Sequence, residues 1–395
     1  MRCANMGFLN GVTVIELSEH ISASACTKSM AALGARVIKI EAPNAGDPAR
    51  RMGPFPKDDP HPEKSGLFLY LNMGKEDITL DLHAKEGQRI FHSLIEKADV
   101  LVEDLGPGVM DGIGLGYKDL EKTVPHLVFA AITPFGENGP AIYLKPEEIV
   151  LEAASGMMLQ QGSPEREPIK MGGNIIYYRA GASAFTGSMA ALLHAEATGV
   201  GQKVEVSIQE VLLHDDFITV ESYLCRGEDL RRRLAPMLLP CKDGWFYIRA
   251  FPHEWSRLAK ALDLPELEND DRFVDMQTRG RHADELNAII LSRLVDYSKK
   301  EVYDKLQQSK VSTAYLANVE DLFQSEQYQA HGYFVTIDHP VAGSLAYPGA
   351  FATMGDVEWK SGRAPLFGEH NTEIFCHELG YSRQDLVRLR QLGVI

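Results

Sequence analysis

The chain has 395 residues, and its 40 lysines and arginines stand against 55 aspartates and glutamates, a formal charge of −15. That length exceeds one compact core and points to two domains. The acidity excludes a global field that holds nucleic acid or an anionic membrane, so any anionic ligand needs a local cationic pocket or a helix N-terminus.

The first third alternates strand and helix. Residues 12–17 form a short strand rich in β-branched side chains, 22–33 a crossover helix of small residues, and 36–41 a second strand. This β-α-β order implies parallel strands and a right-handed crossover. A strand at 78–82, an amphipathic helix at 84–97 and strands at 100–103 and 127–132 follow. The Gly106-Pro107-Gly108 loop lies just beyond a strand end, where open α/β sheets bind ligands. Helices are expected at 146–158 and 180–196, a strand at 203–207, and one long helix at 208–225. The basic run Arg231-Arg232-Arg233 marks a connection. Beyond it, a strand at 245–250 and helices at 254–262, 285–297 and 300–308 make a smaller α+β unit. The tail returns to Gly, Pro and Ala turns before a last pair of helices.

No apolar run reaches ~18 residues, and the first ten residues lack a secretory pattern, so neither a membrane span nor a signal peptide is expected. The five cysteines are widely spaced without a Cys-x-x-Cys pair, which indicates neither a disulfide framework nor a zinc site and suits a cytoplasmic protein. The turn after the first strand, Glu19-His20-Ile21-Ser22-Ala23, is no GxGxxG, so a dinucleotide reading is weak. The thirteen histidines show no metal-ligand spacing.

Several phrases form a set. They include Leu33-Gly34-Ala35-Arg36-Val37-Ile38-Lys39-Ile40-Glu41, Gly46-Asp47-Pro48-Ala49-Arg50, Val102-Glu103-Asp104-Leu105-Gly106-Pro107-Gly108, Thr198-Gly199-Val200-Gly201-Gln202 and Arg363-Ala364-Pro365-Leu366-Phe367-Gly368-Glu369-His370. In this order and spacing, over about residues 11 to 382, the chain resembles the class III CoA-transferases, the CaiB/BaiF family. The resemblance implies an α/β fold: a Rossmann-like large domain, here 1–225 and 326–395, with an inserted smaller α+β domain, 226–325, in an interlocked dimer. It also implies transfer of CoA from an acyl-CoA to a free carboxylate through an Asp nucleophile, with CoA thioester as substrate and no permanently bound cofactor.

In the family that Asp lies in a Gly-Gly-x-x-x-Asp-x-x-x-Gly stretch. Here the stretch reads Gly172-Gly173-Asn174-Ile175-Ile176-Tyr177-Tyr178-Arg179-Ala180-Gly181, which puts Tyr177 at the Asp position. The nucleophile's carboxylate must itself become an acyl group, and a phenol has no carbonyl carbon to offer. With an ordinary pKa near ~10, only about 0.1% of a tyrosine is ionised at pH 7. The family's racemase chemistry uses the same Asp as acid and base and fails for the same reason. The family's CoA-contact positions fall on His20, Leu80, Asp104, Leu105, Ile113 and Lys145. Asp104-Leu105 replaces an Asn-aromatic pair, and Gly112 stands where a cation is usual. Lys145 either meets CoA or is a solvated lysine. Glu147, Glu148 and Glu152 form either a solvated acidic helix start or a reserve from which Glu148 serves as substitute nucleophile.

The expectation is a subunit of a heteromeric CoA-transferase, inactive alone. Its partner would be a homologous Asp-containing subunit, and its substrates an acyl-CoA such as succinyl-CoA and a carboxylic acid, with benzylsuccinate a candidate. Two alternatives stand beside it: an active homomer using Glu148, and a non-enzymatic binding or regulatory protein.

Overall fold

The computed structural model describes residues 7–163, 165–228, 237–355 and 359–395. Cys3 and the Arg231-Arg232-Arg233 run lie outside the described residues. The chain divides into two units, Met1–Leu159 with Ile169–Leu230 and Gly332–Ile395, and Gln160–Pro168 with Arg231–His331. The expected inner domain was 226–325, so the second unit also takes in the short 160–168 stretch.

In the first unit the elements run β1 (Thr13–Leu17), α1 (Ile21–Ala32), β2 (Arg36–Glu41), α2 (Gly66–Leu71), β3 (Glu76–Thr79), α3 (Lys85–Ile95), β4 (Val100–Glu103), α4 (Val109–Gly112), α5 (Tyr117–Leu120), β5 (Val128–Thr133), α6 (Glu148–Ala154), α7 (Ile175–Thr198), β6 (Lys203–Ser207), α8 (Ile208–Asp215) and α9 (Phe217–Arg226). The six strands form one parallel sheet in the order β3-β2-β1-β4-β5-β6. Buried on both faces, they read as near-continuous apolar runs. One face carries Val14, Val37, Val102 and Ile132 against α1 and α7. The other carries Ile15, Ile38, Leu101 and Phe129 against α3. Small residues let α1 and α7 approach closely: a Cβ on Gly181 would stand 2.7 Å from the Ser22 carbonyl oxygen.

The structure corrects several boundaries. The helix expected from 180 starts at Ile175, because Asn174 takes a left-handed turn (φ 59) and Ile176 is fully buried as an anchor. Tyr177 therefore sits in a helix's first turn, not before it. The helix expected at 208–225 is two, broken at Asp216. The 146–158 helix shortens to α6 plus a 3-10 turn, Met157–Gln160, with Gly156 (φ 85) between them.

In the second unit, β7 (Leu238–Cys241), β8 (Gly244–Ile248) and β9 (Thr313–Tyr315) pair antiparallel in that order. Their helices are α10 (Trp255–Ala261), α11 (Met276–Arg281), α12 (Ala283–Leu294) and α13 (Lys299–Gln308), followed by α14 (Val319–Gln324) and α15 (Glu326–Ala330). Buried Arg279 stacks on Trp255 at 4.0 Å and donates to the Phe273 and Ala250 carbonyls.

Returning to the first unit, the tail forms a hairpin, β10 (Phe334–His339) and β11 (Gly343–Pro348), where sequence indicated only turns. Its Tyr347 packs with Phe68 and Leu69 of α2. Helix α16 (Arg383–Gln391) sends Leu386 and Leu389 into the α3-side core. No helix of the described residues is long and apolar enough to cross a membrane.

The first half of the sheet is held by buried charge. Glu16, in the middle of β1, has no solvent exposure and accepts from Lys39 (2.8 Å), Lys75 (2.7 Å), Ser24 (2.7 Å) and Thr27 (2.6 Å). Lys39 also pairs with Asp47 at 2.6 Å. Beside it Arg50 binds Glu41 (2.7 Å) and Glu63 (2.8 Å). Burial opposes the ionised form of Glu16, yet the two lysines hold its pKa far below the ordinary 4.5. Glu41 behaves alike, held at about 2 by Asp77 and Arg50 against its own burial. The stability these two depressed carboxylates supply is present above about 4.5 and is lost as pH falls toward their folded values.

Glu16→Gln strips the shared counter-charge from two buried ammonium groups and is expected to remove about 3 kcal/mol of stability in urea unfolding. A drop below ~1 kcal/mol would contradict the assignment. Asp77 has the opposite sign. Burial, then neighbouring Glu41, raises its pKa well above 3.8, so its folded form holds a proton and its stabilisation is lost as pH rises. Asp77→Asn keeps the shape without the titration. Relative to wild type, its stability should therefore increase as pH rises above about 4, as read by unfolding midpoints; a flat difference would refute a protonated Asp77.

Candidate functional site

The strand order reverses between β1 and β4, the switch point where open α/β sheets bind ligands. The site grows from those two strand ends. After Leu17 the chain turns through Ser18-Glu19-His20 into α1, whose first amides have no partner within the helix. Asp104, one residue past β4, supplies one to Ala23 and to the two turn amides before the helix. Its Oδ1 accepts from the Glu19 and His20 amides (2.9 and 3.2 Å), and its Oδ2 from Ala23 (2.9 Å). Burial pushes the Asp104 carboxyl up, with His20 and these amides working against it.

Two cavities flank this cap and share Leu105 as a wall. One, of about 230 Å3, is lined by His20, Ser22, Asp104, Leu105, Tyr143 and Tyr177 among others. The other, of about 240 Å3, carries Leu80 and Ile113 with the carboxylates Glu19, Glu41, Asp47 and Asp81. No lysine or arginine is among the residues lining either. The structure thus brings His20, Asp104, Leu105 and Tyr177 together, and Leu80 and Ile113 next door. Lys145 is exposed and lines neither cavity. Gly112 ends α4 at the surface.

Tyr177 is half-buried, and its pKa is pushed up to about 12 by burial first and then by Glu148 and Glu147. Its phenol therefore keeps its proton at pH 7 and is no nucleophile. Glu148 ion-pairs with Lys170 through Oε2, while its Oε1 is buried without a hydrogen-bond partner among the described residues. Glu152 is fully buried and accepts from the Met171 amide at 2.8 Å. It is not the solvated residue expected of an acidic helix start.

Sequence reasoning missed two groups. Ser22 lines the Tyr177 cavity, and its hydroxyl, buried, finds no hydrogen-bond partner among the described residues. Glu103, at the end of β4, is buried and raised to about 8, chiefly by desolvation. It accepts from the Leu105 amide at 2.8 Å. The adjacent acids Glu103-Asp104 at a strand end were the available clue.

A family model described as CoA-transferase family III matches residues 9–371. The chain belongs to that family. It is 32% identical to succinyl-CoA:(R)-benzylsuccinate CoA-transferase subunit BbsE of Thauera aromatica, over 93% of both chains. It is 30% identical to succinyl-CoA–D-citramalate CoA-transferase of Chloroflexus aurantiacus, over 98% of both. Among solved structures, a CaiB/BaiF family protein from Brucella suis superposes with a TM-score of 0.84 at 25% identity, covering 94% of this chain and 100% of that one. CoA thioesters are accordingly the substrates of the family to which this fold and site belong.

Asp104→Ala leaves three amides without their acceptor and is expected to lower stability by about 2 kcal/mol, the upper range for losing a helix cap. Asp104→Asn, which retains one acceptor oxygen, should fall between. Thermal or urea unfolding measures both, and equal stability of all three proteins would rule out the capping role.

Proposed function

We propose that this chain is the non-catalytic subunit of a heteromeric family III CoA-transferase. The complex moves CoA between an acyl-CoA such as succinyl-CoA and a free carboxylate, with benzylsuccinate the candidate acceptor and the cytoplasm the compartment. The observation that carries this reading is the state of the Tyr177 cavity. The single carboxylate among its lining residues, Asp104, already accepts three backbone amides, and Tyr177 occupies the position of the family's nucleophile. Group transfer through an anhydride needs a carboxylate free to attack, and a neutral phenol does not replace it.

The neighbouring cavity supports the same division of labour. CoA carries phosphates, and Glu19, Glu41, Asp47 and Asp81 line the space where the family's CoA-contact positions Leu80 and Ile113 lie. Glu41 and Asp47 are neutralised by Arg50 and Lys39, which leaves Glu19 and Asp81 as carboxylates that oppose a phosphate there. A homologous partner in an interlocked dimer then supplies the Asp and the CoA site, while this chain supplies fold and interface. The 32% identical relative is itself named as a subunit.

One observation favours a second reading, an active homomer. Glu148 acts electrostatically on Tyr177 and holds a buried, unpartnered Oε1, so it is a carboxylate with a free oxygen close to the site.

The purified chain is expected to give no CoA transfer from succinyl-CoA to benzylsuccinate or related acids. Reconstitution with a homologous Asp-bearing subunit should yield activity unchanged within about twofold by Glu148→Gln on this chain. Hydroxylamine trapping during turnover should modify the partner's carboxylate. Robust activity of this chain alone, abolished by Glu148→Gln, would establish the homomer instead.

A further inference from the structure

Away from the strand ends, α1 carries a cation that the reaction does not use. Lys28 is half-buried, and its ammonium lies over the Tyr70 ring at 3.9 Å. It makes no hydrogen bond or ion pair with any described residue. The one charged group acting on it is Lys75, another cation. Buried charges are normally paired, and an exception needs a compensating partner. Tyr70 offers its ring face but no counter-charge. Burial and Lys75 draw the Lys28 ammonium down to about 8, the strain expected of a cation left without an anion.

Lys28 opens onto a small cleft of about 30 Å3 between α1 and the tail. Lys360 and Ser361 stand exposed on one side, and Phe351 and Trp359 form an aromatic wall, their rings 4.5 Å apart. The Lys360 amide donates to the Ala32 carbonyl at 2.9 Å, which fixes the rim to the end of α1. No carboxylate is among the lining residues, in a chain with fifteen more acids than bases. Two lysines without an ion-pair partner among the described residues thus line one cleft. Eight residues separate His20 from Lys28, about 12 Å along a helix, so the cleft is distinct from the strand-end cavities.

We propose that this cleft binds a small oxyanion, the carboxylate or phosphate group of a ligand, between Lys28 and Lys360, with the ligand's remaining body against Phe351 and Trp359. The space admits a head group only, so the rest of the ligand lies along the surface. Both anion sources share this chemistry: two point-charge donors and a hydroxyl accept either.

The test uses the full chain, titrated separately with inorganic phosphate and with succinate against sodium chloride of equal ionic strength. Trp359 fluorescence and calorimetry are the readouts. A saturable response to one anion, weakened at least ~10-fold by Lys360→Ala and by Lys28→Met, supports the site and names its ligand class. In parallel, NMR of reductively methylated lysines should show the Lys28 titration moving upward when the anion is present. Lys360 is exposed, so its variant keeps the test valid if Lys28→Met fails to fold. No saturable response beyond chloride, or a response unchanged in Lys360→Ala with the Lys28 titration unmoved, overturns the proposal.

Discussion

The site's geometry depends on one carboxylate turned inward. In doubly wound folds the first helix after the first strand points its free amides at the switch point, and a ligand's phosphate or carboxylate usually fills them. Here Asp104 reaches from the end of β4 and takes the Ala23 amide of α1 together with the Glu19 and His20 amides of the turn before it. This ties the two central strand ends together, sets the pitch of α1, and makes Leu105 the partition between two cavities. It also puts a carboxylate at that helix end, where a ligand otherwise meets hydroxyls, a phenol and apolar walls.

The charge distribution follows the same logic on a larger scale. In this acidic chain a few cations are committed inside. Lys39, Lys75 and Arg50 each meet carboxylates in the interior of the first unit, and two of those carboxylates, Glu41 and Asp47, reach the wall of the neighbouring cavity. Buried pairs of this kind are weak sources of net stability but severe when half broken. They fix which strands lie beside β1 more than they strengthen the sheet.

Much of this was legible in the sequence where one physical rule dominated. Strands β2, β4 and β6 fall on the expected residues because β-branched or alternating runs sit between clear breaks. Parallel pairing followed from the β-α-β alternation, whereas the positions around Tyr177 came with the family resemblance. The start of α7 was missed because Ile175-Ile176-Tyr177-Tyr178 has strand-like side chains, and only the turn at Asn174 and the burial of Ile176 make it helical. The β10–β11 hairpin was missed because glycine, proline and alanine masked a ladder whose support is α2, some 270 residues earlier by number. The Glu16 cluster was invisible for a related reason: nothing local tells a buried lysine from a solvated one. Glu152 shows the converse, an acid assigned to solvent that the fold encloses.

That cluster also bears on how the chain is made. Glu16 and Lys75 are 59 residues apart, and synthesis delivers them in that order, at about 5–20 residues per second. For several seconds the emerging β1-α1-β2 segment holds an acid that only Lys39 and two hydroxyls can neutralise. Its apolar faces are ready to pack before the second of the two lysines that hold Glu16 is present. The amino-terminal βαβ unit is thus poorly suited to settle on the ribosome by itself and waits for β3 to arrive with its lysine. Ribosome-stalled chains ending just before and just after Lys75 should differ sharply in protease resistance, and equal resistance would show that the early segment folds without it.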